Sequence, residues 1–257
     1  SDVYKRQPNS YIALLNNYLG SCLLSGDHDV FVKTLDRMRT FIDDIPYLSK
    51  SETLRTLIFQ WSTNRELDYY TFTNDYEGGS KIISEIEMGL KTYKRTLSGV
   101  AVSYISLKVV QIFFALGRFR EALEWCDRIV SDTSLENASP RIYSSLRMIA
   151  LLIHFELKND EFLEHLISTT YRSRLRKGTN YKFEGTIISF LKKAIAAPNA
   201  SEQKELFKKL KADMEALAKD PYEAVALSYF MYIEWVDSKI TQQPLMDIIR
   251  EKKQQTA

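Results

Sequence analysis

Glycine and proline are scarce, with nine and six residues among 257. Pro46, Pro140, Pro198, Pro221 and Pro244 sit between periodic segments or at their starts, which is helix punctuation. Cysteine is rarer still. Cys22 and Cys126 both fall within apolar helical pattern and read as small buried hydrophobes rather than a disulfide framework, so a reducing compartment is the default. Charge of either sign is not in excess: 35 basic residues face 33 acidic ones. That balance argues against a surface built throughout for nucleic acid, while leaving room for a local patch. Long apolar runs are missing too. The stretch 109–117 falls far short of the roughly 18 residues a membrane span needs, and no signal peptide is visible. No membrane insertion and a cytoplasmic location are therefore expected. What is plentiful is core material, 45% hydrophobic and 12% aromatic, which excludes bulk disorder.

Catalytic motifs are also missing. The histidines are His28, His154 and His165; the last two lie eleven residues apart, without a helical metal-ligand pattern, and no HExxH occurs. Gly78-Gly79-Ser80-Lys81 superficially suggests a phosphate loop but lacks the required spacing and a preceding strand, so it reads as a helix start. Asp43-Asp44 precede a proline turn and read as a solvated loop. With no Cys/His or Ser/His arrangement at local spacing, no enzymatic activity, metal or cofactor is expected.

Helical periodicity fills most of the chain. Val102, Ile105, Val109, Ile112, Phe113 and Leu116 form one stripe, and Tyr222, Ala226, Tyr229, Phe230, Ile233 and Ile240 another. Ser139-Pro140 supplies an N-cap and a proline at the first helical position, and Asp220-Pro221-Tyr222-Glu223 has the form of a capping box. No segment alternates apolar and polar residues convincingly, so no sheet is expected. The pattern predicts twelve helices, over 9–24, 29–43, 51–73, 77–93, 98–116, 118–131, 140–157, 160–176, 181–196, 202–218, 221–239 and 244–253. They pair naturally into six antiparallel hairpins.

The most informative segment runs from Phe113 to Trp125. One helix ends at Gly117 and another begins at once, with aromatic Phe119 two residues on and small Ala122 five on. Equivalent anchors are Gly26 and Asn74 before it and Lys158 after it, spaced 48, 43 and 41 residues apart. Two residues beyond the anchors stand His28, Tyr76, Phe119 and Asp160; five beyond stand Phe31, Gly79, Ala122 and Leu163. Glycine or asparagine tolerates the left-handed conformation that ends the first helix. The aromatic fills the gap between paired helices, and the small residue lets them cross closely.

On these residues, 98–131 resembles a tetratricopeptide repeat and 10–177 a degenerate array of the same superfamily, similar to the C-terminal part of bacterial proteins of that kind. The departures are Ser106, Val110 and Cys126 at positions the family fills with Trp, Gly and an aromatic, and repeats longer than the standard length of about 34 residues. The resemblance implies an all-α, right-handed αα superhelix of about twelve antiparallel helices, whose first helices line a concave groove. Residues 8–177 are expected to form the array and 178–257 to cap it. Residues 1–7 (Ser-Asp-Val-Tyr-Lys-Arg-Gln) resemble a translated sequencing-adapter remnant, so a longer native chain is expected.

Counting back from the turns gives candidate groove residues Asn16, Trp61, Asn64, Asp68, Tyr104, Gln111 and Phe114, with an apolar fourth set, Ser145, Met148, Leu152 and Phe155. Amide side chains offer both donor and acceptor to an extended peptide, and aromatics supply burial. A second candidate is the basic run Arg172, Arg174, Arg176 and Lys177, followed by Lys182. Its simplest reading is cations in a last helical turn, favoured by the helix dipole. The leading expectation is a non-enzymatic scaffold that binds a protein or peptide. The alternatives are a sensory module of a regulator whose head lies upstream of Pro8, and RNA binding through the 171–182 patch.

Overall fold

Helix ends and starts organise the chain. In the computed structural model, residues 7–43, 45, 47–177 and 181–256 are described, with side chains left aside at 171–177 and 255–256. Among the described residues five adopt the left-handed backbone conformation: Gly26 (φ 73°), Asn74 (59°), Gly117 (69°), Lys158 (56°) and Gln242 (59°). After each, the next backbone N–H bonds the carbonyl five residues back. The pairs are Asp27 to Cys22 (3.0 Å), Asp75 to Tyr70 (3.0 Å), Arg118 to Phe113 (2.8 Å), Asn159 to His154 (3.0 Å) and Gln243 to Ser238 (3.2 Å). This 6→1 bond satisfies a carbonyl that the ending helix would orphan.

In four cases the next helix starts immediately. Asp27 and Asp75 serve as N-caps, accepting from Val30 N (3.4 Å) and Gly78 N (2.9 Å). The residues five beyond the first four turns, Phe31, Gly79, Ala122 and Leu163, are all buried. Two beyond, Tyr76 is buried and Phe119 half-buried, whereas His28 and Asp160 stay exposed.

Helix accounts for 81% of the fold, in fifteen segments, with no strand among the described residues. They are α1 (Pro8–Ser25), α2 (His28–Thr40), α3 (Glu52–Thr73), α4 (Tyr76–Lys81), α5 (Ile83–Thr92), α6 (Gly99–Ala115), α7 (Phe119–Val130), α8 (Thr133–Ala138), α9 (Pro140–Glu156), α10 (Asp160–Lys177), α11 (Lys182–Ala196), α12 (Ala200–Leu217), α13 (Pro221–Leu227), α14 (Tyr232–Thr241) and α15 (Leu245–Thr256).

Fifteen replaces the expected twelve for three local reasons. The expected helix over 77–93 breaks at Ile82 (φ −89°, ψ −6°), just after a six-residue helix carrying two glycines. A short helix, α8, forms where Asp132 accepts from Ser134 N (3.0 Å). The expected helix over 221–239 breaks over 228–231. There the Phe230 ring sits edge-on to Phe114 (4.8 Å between centroids) and Tyr232 (4.9 Å). The Tyr229 carbonyl, released from the helix ladder, accepts from Gln111 Nε2 at 2.7 Å.

Two caps also differ from expectation. Ser139 makes no side-chain cap, although Pro140 does occupy the first helical turn. Glu223 does not close a capping box. Its two carboxylate oxygens accept from Lys182 N (2.7 Å) and Phe183 N (3.1 Å), so it caps α11 from a distance of 40 residues.

The chain divides into two compact units, Ser1–Val109 and Val110–Ala257, the division falling within α6. In the first, α1 packs on α2 and α3, and α2 on α3. Its core includes Ile12, Leu19, Phe31 and Met38, with Tyr69 stacked on Phe31 at 4.8 Å. In the second, α7 packs on α9, α9 on α10 and α11, α11 on α12, and α12 on α14. Phe155, Phe190, Phe207 and Trp235 meet there ring to ring, with centroids from 4.8 Å (Phe190–Phe207) to 6.3 Å (Phe155–Trp235). The indole N–H of Trp235 donates to Glu156 Oε1 (2.6 Å), which keeps the buried ring's one polar atom paired.

Candidate functional site

On α3 the residues Trp61, Arg65, Asp68 and Phe72 recur every three or four positions and share one face. Arg65 reaches α1, where its Nε donates to Asn16 Oδ1 (2.9 Å) and to the Asn16 carbonyl (3.1 Å). One turn on, the guanidinium passes over Gly20, where even a Cβ would meet its central carbon at 3.5 Å, an ordinary van der Waals contact. Arg65 also lies 3.5 Å from Asp68 Oδ2. The other oxygen of Asp68 accepts from the Tyr104 hydroxyl (2.5 Å) and stands 3.1 Å from Lys108 Nζ. Lys108 donates in turn to Thr71 Oγ1 (3.3 Å) and lies 5.5 Å from the Tyr104 ring centroid.

The result is one hydrogen-bonded strip across α1, α3 and the first turns of α6, all within the first unit. Asp68 is one-fifth exposed and holds two cations and a phenol at once. Trp61, half-buried, packs against the apolar core at the edge of the strip. Asn64 Oδ1 is buried with no hydrogen-bond partner among the described residues. Such a strip presents fixed donors, acceptors and ring faces.

Of the seven groove candidates, Asn16, Asp68 and Tyr104 therefore meet in this network, and Trp61 and Asn64 sit on the same helix as Asp68. Gln111 and Phe114 are corrections. Gln111 is buried, with its amide taken by the Tyr229 carbonyl, and Phe114 is wholly buried between the rings of Phe119 (5.1 Å) and Phe230 (4.8 Å). Ser145, Met148 and Leu152 are likewise buried. Sequence reasoning missed Arg65 and Lys108. The signal was present, since they stand three residues before Asp68 and four after Tyr104.

In the basic run, the side chains of Arg172, Arg174, Arg176 and Lys177 lie outside the described residues. Lys182 opens α11, 70% exposed, with Nζ 3.7 Å from Asp220 Oδ2. The Gly78-Gly79-Ser80-Lys81 segment lies in α4, where Asp75 caps the Gly78 N–H at 2.9 Å. Cys22 and Cys126 are free and buried, and burial pushes the Cys126 thiol well above its usual range. His154 is buried beside Phe162 (4.7 Å), and burial lowers its pKa against the opposing pull of Asp127. Among the described residues no group of three or more His, Cys, Asp or Glu side chains is placed to hold a metal ion, and no helix is long and apolar enough to cross a membrane.

No protein-family model matches the chain, and searches of curated proteins and of solved structures find no match either.

Proposed function

We propose that the chain is a helical-repeat binding module, similar to tetratricopeptide arrays, that recognises a protein or peptide segment without catalysing a reaction. The single observation that carries this reading is the strip Asn16–Arg65–Asp68–Tyr104–Lys108, contributed by three helices that each precede a left-handed turn. In a stacked array of helical hairpins such first helices stand side by side and form a shared face. The packing of α1 on both α2 and α3, and of α9 on both α10 and α11, supports that arrangement. A face whose charged groups already hold one another in place loses little freedom when a partner arrives. The chemistry suits an extended segment: donors and acceptors for its backbone, and the Trp61 and Tyr104 rings for its side chains. The expected setting is the cytoplasm, with no cofactor.

A displayed peptide library panned against the intact chain tests the reading. A recurrent sequence pattern should be enriched, and its binding should fall at least tenfold with Asp68→Lys or Trp61→Ala, each variant being checked for an unchanged helical spectrum. Enriched peptides indifferent to both substitutions, or no enrichment at all, would refute it.

A further inference from the structure

A second candidate site lies in the other unit, independent of the strip. Helices α11 and α12 run together where Phe190 meets Phe207 (4.8 Å) and Gln203 Nε2 donates to the Ala194 carbonyl (3.3 Å). Beside that contact they leave a cleft of about 420 Å³. Its floor is apolar, formed by buried Phe190 and Leu210. The α11 wall carries Lys182 at one end and Lys193 at the other, about 16 Å apart at the rise of an α-helix. Between them stand Gly185, whose missing side chain keeps the wall low, and the exposed hydroxyl of Ser189. The facing wall adds Lys209, and Asp213 is the only carboxylate on either wall among the described residues.

Most lysines nearby are engaged: Lys208 with Glu205 (2.6 Å), Lys211 with Asp237 (2.6 Å), and Lys182 loosely with Asp220 (3.7 Å). Lys193 and Lys209 differ. Both are exposed, both line the cleft, and neither has an ion-pair partner among the described residues. Those two ammonium groups and the loosely paired Lys182, against Asp213 in the wall and Asp220 beside Lys182, leave an excess of one positive charge over an apolar floor in a concave site of small-molecule size.

We infer that this cleft binds a small multivalent oxyanion, a phosphate ester or a polycarboxylate. Lys193, Lys209 and Lys182 supply the charge, the Ser189 hydroxyl donates a hydrogen bond, and Phe190 and Leu210 meet the ligand's carbon frame. The volume is too small for a nucleic-acid strand to settle along it, and the near-neutral chain lacks the wider basic surface such a strand would need.

The test is amide chemical-shift mapping on the intact ¹⁵N-labelled chain, titrated with tripolyphosphate and with citrate against sodium chloride of equal ionic strength. Saturable shifts at Gly185, Thr186 and Ser189 are expected with at least one of the two, and which one responds assigns phosphate or carboxylate. The double variant Lys193→Gln/Lys209→Gln should weaken binding about tenfold, from the modest strength of each exposed charge contact. The control Lys91→Gln/Lys94→Gln, with the same change of charge in the first unit, should leave it unchanged. Shifts that only follow ionic strength, the absence of saturable binding, or an equal loss in both double variants would overturn the inference.

Discussion

Lys158 and Gly117 end their helices in the same left-handed conformation, φ 56° and 69°, with the same closing hydrogen bond. A side chain with a Cβ costs roughly 1–2 kcal/mol in that conformation, and glycine costs little. Glycine, however, gives the unfolded chain more freedom, which offsets roughly 0.4–1 kcal/mol. Lys158→Gly should therefore stabilise the second unit by about 0.5–1 kcal/mol, and Gly117→Ala should destabilise it by a similar amount. Nothing lies within 4 Å of a Cβ built on Gly117, so backbone conformation alone sets the second figure. At about 2–4 °C per kcal/mol for a unit of this size, the midpoints should move apart by some 2–8 °C in all. Differential scanning calorimetry of the intact chain reads the shift. If both variants move the melting temperature in the same direction, or Lys158→Gly lowers it, the account of these turns is wrong.

Asp68→Ala should destabilise the first unit by about 1–3 kcal/mol, because Arg65 and Lys108 lose their shared carboxylate in a partly buried strip; urea unfolding followed by tryptophan fluorescence measures it. Phe207→Ala opens a hole among Phe155, Phe190 and Trp235 and should cost about 3–5 kcal/mol, read as loss of the near-ultraviolet dichroism of Trp235 at moderate denaturant. Burial works against ionisation of Asp237, yet hydrogen bonds from Lys211 and Lys252 outweigh it and hold the carboxyl below its ordinary 3.8. A carboxyl depressed in the folded state contributes stability above its unfolded pKa and loses it as pH falls through the folded one. The second unit should thus weaken as pH drops below about 4, and Asp237→Asn should flatten that part of the pH–stability curve.

The turns were the most legible part of the fold, because glycine and asparagine mark left-handed positions by their own chemistry. Lys158 carries no such mark; only its spacing from Gly117 points to it. The break over 228–231 was hidden for the opposite reason. Tyr222, Ala226, Tyr229, Phe230 and Ile233 continue a helical stripe, and what interrupts it is tertiary: the Phe114 ring and the Gln111 amide, more than 110 residues earlier. Glu223 misled similarly, since an acid at that position suits its own helix as well as a distant one. At the candidate site, counting back from the turns reaches Asn16, Asp68 and Tyr104, which do meet. It passes over Arg65 and Lys108, whose long side chains bridge helices from positions just off that count.

The bond from Gln111 to the Tyr229 carbonyl divides two contacting positions by what each can tolerate. At 229 the acceptor is main chain, so any residue that keeps the local bend supplies it, and substitutions there should be mild. At 111 the donor is a side chain of fixed reach. Glutamate would set a carboxylate against a carbonyl, and alanine would leave that part-buried carbonyl without its donor. In a saturation library scored for folding, position 229 should read as permissive and position 111 as restricted, although the two share a single bond.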